Sequence, residues 1–244
     1  MNEWQYETAE DLAQSLTERL RHFPREPDML VYGVRSLAAL TFRAWLRCYH
    51  RFAVSGLENL PVNGSFVLVA NHSSHLDALC LLSALPLKKL HRTFPAAAAD
   101  YFFESLPRIW IAAVIVNALP FKRETHARQS LALCQQLLAN SGNILLLFPE
   151  GTRSQTGEMG RFKPGIGMLL AGRDVTVVPC YLAGAFRAWR KGALLPKPSK
   201  VALRIGVARN YKEMVANKES VLAIAAELQQ AVAACAGELS SACR

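Results

Sequence analysis

The sequence lacks several short motifs by which nucleotide-binding proteins, hydrolases and zinc proteins are commonly identified. It contains no G-x-x-x-x-G-K-[ST] phosphate loop, no G-x-G-x-x-G fingerprint and no G-x-S-x-G nucleophile motif. Nucleotide-dependent kinases and α/β-hydrolases therefore lose support. The H-E-x-x-H and C-x-x-C spacings that are typical of zinc sites are missing as well.

Features of secreted or membrane-spanning chains are also scarce. The opening stretch lacks the basic-then-apolar layout of a signal peptide, and no run of 18 apolar residues occurs. We therefore expect no transmembrane helix. The six cysteines include no closely spaced pair and several lie in apolar runs, which predicts reduced, mostly buried thiols in a cytosolic setting. They are Cys48, Cys80, Cys134, Cys180, Cys235 and Cys243.

The chain has ample apolar material and an uneven excess of positive charge. Apolar residues occupy 51% of the 244 positions, which is enough for a core and argues against disorder. Residues 1–28 hold seven acids and three bases, whereas the remainder holds 25 bases and 12 acids. A basic body predicts an anionic partner, such as a phosphorylated small molecule, a membrane surface or nucleic acid. The length suits one domain, 51–244, preceded by a helical segment, 1–50.

That helical segment contains an amphipathic pattern from Met29 to Tyr49, after a polar helix candidate at 3–21. At 100° per residue, a broad arc of apolar residues faces away from three arginines. Such a helix can lie on a membrane surface, or it can pack on its own domain with the arginines in solvent, and both need the same pattern. The arc comprises Leu30, Val31, Val34, Leu37, Leu40, Thr41, Phe42 and Trp45, and the arginines are Arg35, Arg43 and Arg47.

Apolar runs that alternate with helical patterns predict an α/β fold with a mixed, mostly parallel central sheet flanked by helices. In such sheets the site forms from loops at the carboxyl ends of the strands. The apolar segments 94–103 and 106–119 are expected to line the core or a hydrophobic surface. Strands are predicted at 52–56, 66–70, 143–148, 175–179 and 201–206, and helices after Asp77 and at 125–140 and 218–236.

A candidate catalytic pair lies in the turn Asn71-His72-Ser73-Ser74-His75-Leu76-Asp77, between a predicted strand and a predicted helix. A carboxylate can fix the tautomer of an imidazole and make it a better base. The pair can meet only if His72 lies in the turn and Asp77 in the first helical turn, with Ser73 or Ser74 as the N-cap. Two alternatives remain open: a helix cap without chemistry, and a metal site built on the H-x-x-H-x-D spacing.

A second candidate loop reads Phe148-Pro149-Glu150-Gly151-Thr152-Arg153-Ser154. Its glycine lets the backbone approach a ligand, and an arginine beside free N–H groups suits a phosphate, although a tight turn with a surface arginine has the same pattern. Residues 161–167 repeat the combination of base and glycine, and Arg123 is a further candidate anion contact. Residues 186–212 add eight bases and no acid around Trp189, which fits nucleic acid, a membrane surface or a polyphosphate.

Together, residues 71–77 and 148–154 resemble the first and third sequence blocks of the glycerolipid acyltransferase family, which includes the lysophosphatidate acyltransferases. Residues 120–123 resemble the second block and 177–181 the fourth. The order and the intervals also match, over about residues 50–210. The chain is thus similar to enzymes that transfer an acyl group from a thioester to a hydroxyl of a glycerolipid.

The resemblance implies a role for each candidate residue. His72 would be the general base on the acceptor hydroxyl, and Asp77 would hold its imidazole. Arg123 and Arg153 would hold the acceptor phosphate, and Lys163 is our own addition to the set. The substrate-binding residues expected on this basis are Arg123, Glu150, Gly151, Thr152, Arg153 and Lys163.

Substrates, partners and location follow from the same resemblance. The donor would be acyl-CoA or acyl-acyl-carrier protein, and the acceptor a lysophospholipid, in first place 1-acylglycerol-3-phosphate, which would yield phosphatidate. The chain would act at the cytoplasmic side of a membrane as a peripheral protein on an anionic surface, with the 29–49 helix as docking element. No cofactor, metal or nucleic acid is expected.

The turn around His72 and Gly151 would offer N–H donors to the oxyanion that develops on the thioester, or a cation would stabilise it. Two functional alternatives stay open: an acyltransferase with a different lipid acceptor, and a non-catalytic protein that binds anionic lipid.

Overall fold

The described part of the chain, residues 29–98, 116–121 and 127–242, is built around one seven-stranded sheet in this computed structural model. The strand order is β1-β7-β6-β2-β5-β3-β4. The strands are β1 Ala53–Ser55, β2 Phe66–Ala70, β3 Thr93–Ala98, β4 Leu119–Phe121, β5 Ile144–Leu147, β6 Thr176–Ala183 and β7 Ala202–Ile205. The helices are α1 Met29–Tyr49, α2 Asp77–Ala84, α3 Leu87–Leu90, α4 Ala127–Ala139, α5 Gly165–Leu170, α6 Ala185–Trp189 and α7 Lys218–Ala242.

Strand β2 lies near the centre of the sheet and explains why the chain folds as an α/β protein. All five of its residues are buried, as expected of a parallel strand covered on both faces. Its neighbours β5 and β6 are parallel to it, and the only antiparallel pair in the described sheet is β6 with β7. The predicted mixed, mostly parallel sheet flanked by helices is therefore confirmed.

Two hydrophobic clusters cover the two faces of the sheet. Phe66 and Leu68 of β2 point into a cluster with residues of α1, α2 and α3. Val67 and Val69 point into the other cluster, with residues of α4, α5 and α7. The alternation follows from the two-residue period of a strand, and it holds β2 and the turn after it between two packed layers.

The element boundaries agree with the sequence pattern where the pattern is uninterrupted. The helix at 29–49 and the strand at 66–70 are found with the predicted limits. Strands β3 and β4 were not predicted as strands; they contain Pro95 and Pro120, which lack the N–H donor of a central strand. The prediction for β6 stopped at Pro179, but the strand continues to Ala183. The helix candidate at 3–21 lies outside the described residues.

Helix α1 packs on the sheet domain with two of its arginines turned toward the protein and several of its apolar residues turned outward. Arg35 is buried and donates to Asn117 Oδ1 at 3.2 Å, and Arg43 donates to the Leu85 carbonyl. Burial lowers the pKa of Arg35 to about 10. Leu37 and Leu40 are 67% and 50% exposed. The idea of a helix that buries its apolar arc and leaves its arginines in solvent is therefore wrong for most of its length.

Helix α7 is the one described helix whose length and apolar composition would allow it to cross a membrane, over Lys218–Leu239. A third of that stretch is buried inside the protein. Ile224, Leu228 and Val232 are fully buried in the cluster that covers one face of the sheet. One side of α7 therefore packs on the sheet.

The contact between α5 and α7 has no room for a side chain at Gly167. A Cβ atom there would lie 2.1 Å from the Val221 carbonyl oxygen, whereas a Cβ at Gly165 would meet nothing within 4 Å. We predict that Gly167→Ala lowers the free energy of unfolding by about 1–3 kcal/mol through overpacking. Urea denaturation measures this change.

Gly165→Ala is the matched control on the same helix, and it should change the free energy of unfolding by no more than about 1 kcal/mol. Equal stability of the two variants would show that α5 and α7 do not pack this closely.

Candidate active site

The loops that carry the candidate residues meet at one edge of the sheet. Strands β2, β5 and β6 are parallel neighbours, so their carboxyl ends lie side by side. Strand β2 leads into residues 71–76, which we call the His72 turn. Strand β5 leads into residues 148–154, the Arg153 loop, and β6 leads into helix α6. The order of the strands in the sheet thus places all three segments at one edge.

His72 and Asp77 form a hydrogen-bonded pair in this edge. His72 Nδ1 lies 2.8 Å from Asp77 Oδ2, with His72 in the turn and Asp77 as the first residue of α2. Because an ionised carboxylate only accepts, Nδ1 carries the hydrogen and Nε2 is the basic nitrogen. The ring stacks on Phe148 at a centroid distance of 4.1 Å, and the side chain is 20% exposed. The imidazole is thus oriented and still reachable.

Asp77 organises the turn around it as well as the imidazole. Its Oδ2 also accepts the backbone N–H groups of Ser73 at 2.6 Å and Ser74 at 2.7 Å, and the side chain is fully buried. The predicted serine N-cap is wrong: the N-cap of α2 is Leu76, without a side-chain bond. The serine N–H groups point instead at the carboxylate one residue inside the helix.

Glu150 clamps the His72 turn from the neighbouring strand. Its Oε1 accepts the His72 backbone N–H at 2.6 Å, and its Oε2 accepts that of Gly160 at 2.8 Å. The carbonyl of His72 in turn accepts the N–H of Ser154 at 2.8 Å. Burial raises the pKa of Glu150, and the two backbone donors oppose that shift. Both carboxylate oxygens are therefore engaged by the protein's own backbone.

Gly151 and Lys163 lie against each other beside this clamp. Gly151 has a φ of +74°, a conformation that glycine adopts without strain. A Cβ at this position would lie 2.8 Å from Lys163 Nζ, so the lysine side chain passes directly over the glycine backbone. The Lys163 N–H also donates to the Pro149 carbonyl at 2.9 Å. The structure thus brings Lys163 to the Arg153 loop, 12 positions along the chain from Gly151.

His75 is in direct contact with Arg153. The Arg153 Nη1 atom lies 2.5 Å from His75 Nδ1 and 2.9 Å from Nε2. Burial, with a contribution from the Arg153 guanidinium, lowers the pKa of His75, so the neutral ring can accept from the arginine. A guanidinium against the ring nitrogens is a poor setting for a metal ion shared by His72 and His75. Among the residues that the structure describes, no group of three His, Cys, Asp or Glu side chains could hold a metal ion.

Two further residues, Thr152 and Arg123, were predicted to contact the substrate. Thr152 is exposed at the tip of the Arg153 loop. Arg123 lies outside the described residues, two positions after the end of β4. The expectation of free N–H donors around His72 and Gly151 is wrong for the backbone amides of His72, Ser73 and Ser74, because carboxylate oxygens accept all three. The Gly151 N–H is also occupied, since it donates to the Phe148 carbonyl at 3.0 Å.

A comparison with known families decides between the interpretations of this arrangement. The family model described as acyltransferase matches residues 51–183, more than half of the chain. The chain belongs to the acyltransferase family. The matched region contains both the His72 turn and the Arg153 loop, and it confirms the resemblance noted in the sequence.

Curated relatives within the acyltransferase family have consistent names. The chain is 33% identical over 179 residues to the chloroplastic 1-acyl-sn-glycerol-3-phosphate acyltransferase LPAT1 of Arabidopsis thaliana, covering 71% of this chain and 46% of the relative. It is 30% identical over 135 residues to 1-acyl-sn-glycerol-3-phosphate acyltransferase alpha of Homo sapiens, covering 54% and 46%. The chain therefore spans about half the length of the curated relatives it matches.

A solved acyltransferase has the same fold. The crystal structure of the 1-acyl-sn-glycerophosphate (LPA) acyltransferase PlsC from Thermotoga maritima superposes with a TM-score of 0.63 at 24% identity. The match covers 82% of this chain and 78% of that chain. The fold that presents the His72 turn is thus shared with this acyltransferase.

Three residues of the edge were missed by the sequence analysis. Asn71 bonds β6 in both directions, since it donates to the Leu182 carbonyl at 3.1 Å and accepts the Leu182 N–H at 2.8 Å. Phe148 supplies the surface on which His72 stacks, and the Trp189 carbonyl accepts the His75 N–H at 3.2 Å. The position of Asn71 directly after a buried strand was the one available signal.

We predict that Glu150→Gln loosens the His72 turn. Glutamine offers one carbonyl oxygen to two backbone donors, so the N–H of His72 or Gly160 is left without an acceptor. This change should lower the free energy of unfolding by about 1–3 kcal/mol. Hydrogen exchange at those two amides should become faster.

Glu158→Gln in the same region is the control, because Glu158 is exposed, and its stability should stay within about 0.5 kcal/mol of the original. Unchanged exchange at His72 and Gly160 in Glu150→Gln would contradict the clamp.

Proposed function

We propose that this chain transfers an acyl group from a thioester donor to the hydroxyl of a lysophospholipid, in first place 1-acylglycerol-3-phosphate, which yields phosphatidate. The observation that carries the proposal is the His72–Asp77 pair, held at 2.8 Å beside the cationic side chains of Arg153 and Lys163. A base next to a phosphate-binding loop suits an acceptor that has both a hydroxyl and a phosphate. The names of the curated relatives support the same acceptor.

The chemical step uses His72 as a general base. Its Nε2 takes the proton of the acceptor hydroxyl while that oxygen attacks the thioester carbonyl carbon. The tetrahedral intermediate then collapses, the carbon–sulfur bond breaks, and the leaving sulfur receives the proton from Nε2. The products are an ester and a free thiol. No acyl-enzyme is needed, because the activated hydroxyl attacks the thioester directly.

Asp77 acts through the imidazole in this scheme. Its bond to Nδ1 keeps Nε2 as the basic nitrogen, and its negative charge stabilises the imidazolium that forms during the attack. The oxyanion of the intermediate requires a donor or a cation. Because the N–H groups of Ser73, Ser74 and Gly151 are already bonded within the protein, we propose a cation rather than a backbone amide for this role.

The acceptor phosphate would bind at the Arg153 loop. Arg153 is held by His75, and Lys163 adds a second cation over Gly151. Arg123 belongs to the proposed set through the family resemblance. Glu150 would support acceptor binding indirectly, since both of its oxygens hold backbone amides. The donor is acyl-CoA or acyl-acyl-carrier protein, and both supply the same thioester.

The exposed apolar face of α1 supports a peripheral membrane location. Met29, Leu30 and Val34 are exposed on the same helix as Leu37 and Leu40. An amphipathic helix with this much exposed apolar surface suits the boundary between headgroups and acyl chains. We place the chain at the cytoplasmic side of an anionic membrane, where its lysophospholipid acceptor resides, and assign it no nucleic-acid partner. In this scheme residues 51–244 form the catalytic domain and 1–50 the docking segment.

The function is tested by thiol release. Purified protein is mixed with acyl-CoA or acyl-acyl-carrier protein and a lysophospholipid, and free thiol is followed with time. We expect His72→Ala and Asp77→Asn each to lower kcat by about 10²- to 10⁴-fold, because the base is removed in one and loses its charged partner in the other. Melting curves confirm that both variants are folded.

Two results would contradict this function. One is the absence of thiol release with every donor and acceptor, which would favour the non-catalytic lipid-binding alternative. The other is full activity of His72→Ala. In the same assay Arg153→Gln should raise KM about tenfold for a phosphate-bearing acceptor, while leaving the rate with a monoacylglycerol unchanged. A different lipid acceptor would appear as a higher rate with another headgroup.

Docking through α1 makes a separate prediction. Leu37→Ser combined with Leu40→Ser should weaken binding to anionic vesicles by at least about tenfold, because two exposed apolar side chains no longer enter the bilayer. Vesicle sedimentation measures the partition.

Val207→Ser combined with Val215→Ser is the control, since these valines are 70% and 72% exposed and belong to other segments. Docking through α1 fails if the two double variants partition alike.

A further inference from the structure

A second apolar and basic surface lies in the loop formed by residues 190–200, which we call the Leu194 loop. Leu194 is 93% exposed and is the most exposed large apolar side chain in the described part of the chain, and Leu195 is 76% exposed. The loop contains no acid. Its bases are Arg190, Lys191, Lys197 and Lys200, and all of them are exposed.

The two leucines are exposed because hydrogen bonds to α6 and within the loop fix the loop backbone. The Trp189 indole N–H donates to the Ala193 carbonyl at 2.9 Å, and the Ala193 N–H donates to the Arg190 carbonyl at 3.1 Å. The Lys197 N–H returns to the Ala188 carbonyl at 2.8 Å. These bonds close the loop on α6, so the two leucines project outward from a braced turn.

The loop connects the His72 turn with α1. The Trp189 carbonyl accepts Ser74 Oγ–H at 2.8 Å as well as the His75 N–H. On its other side, the Tyr49 hydroxyl at the end of α1 donates to the Pro196 carbonyl at 3.1 Å. The Leu194 loop therefore lies between the His72 turn and α1, whose apolar face is exposed.

We infer that the Leu194 loop is a second membrane contact, in which Leu194 and Leu195 enter the headgroup–acyl boundary of an anionic lipid surface while the surrounding bases bind its headgroups. Apolar tips ringed by lysine and arginine have the chemistry of an anionic bilayer. Continuity with α1 through Tyr49 favours lipid over an acidic protein. The contact would turn the edge that carries His72 toward the surface. The preference for lipid over protein and this last consequence both rest on the proposed function, because α1 is the docking helix there.

The test compares three proteins on two kinds of vesicle: the full chain, Leu194→Ser combined with Leu195→Ser, and the control Val207→Ser combined with Val215→Ser. Vesicles consist of phosphatidylcholine alone or mixed with phosphatidylglycerol. We expect the leucine variant to lose at least about tenfold in binding to the mixed vesicles, and the control to change less than twofold. The control valines follow β7 or precede α7, at the opposite edge of the sheet.

The charges of the loop give an independent measurement. Lys191→Gln and Lys197→Gln should each weaken binding to the mixed vesicles by about fivefold, since a lysine near an anionic surface contributes that much. Binding to phosphatidylcholine alone should not change. High salt should weaken the binding of the original chain more than that of the doubly substituted lysine variant.

Three results would overturn the inference. The leucine variant could bind mixed vesicles as well as the control does. It could keep vesicle binding and lose binding to a purified acidic acyl-carrier protein, which would make the partner a protein. It could also lose thiol release with a monomeric, short-chain acceptor that needs no membrane, which would assign the loop to the integrity of the site. If the original chain itself releases no thiol, that result would count against the proposed function and not against the membrane contact of the loop.

Discussion

One oxygen atom of a buried carboxylate determines the geometry of this site. Asp77 Oδ2 accepts the imidazole N–H of His72 and the backbone N–H groups of Ser73 and Ser74, all within 2.8 Å. A buried carboxylate requires such partners because it has lost its water. The three bonds to Oδ2 form because the chain turns sharply between β2 and α2. The same contacts therefore shape the turn and orient the imidazole of His72.

Residues that follow the neighbouring strand β5 hold His72 in place from the other side. Glu150 and Ser154 bond the backbone of His72 on its two sides, and Phe148 supports the ring. These contacts exist because β5 lies beside β2 in parallel register, so that both strands end at one edge. Both carboxylate oxygens of Glu150 are thus occupied by backbone amides.

Two surfaces near the site, helix α1 and the Leu194 loop, expose apolar side chains. Helix α1 directs Arg35 and Arg43 into the protein, where carbonyl and amide oxygens accept their hydrogen bonds, and it leaves leucines exposed. The Leu194 loop repeats this exposure beside the His72 turn and adds three lysines and one arginine around it. The Tyr49 hydroxyl joins these two surfaces through its hydrogen bond to the Pro196 carbonyl.

The sequence by itself determined the α/β class, the 29–49 helix and the central strand, since each depends on residues close together in the chain, and it determined the family through four short motifs in a fixed order. The sequence proposed the His72–Asp77 pair, but the structure decided that the two side chains meet, because their contact requires the sharp turn between β2 and α2. Only the tertiary structure decided which face of α1 is buried, that Glu150 holds the His72 backbone, and that Trp189 joins the turn. Those contacts join residues tens of positions apart, and they depend on strand order and register, which no local pattern records.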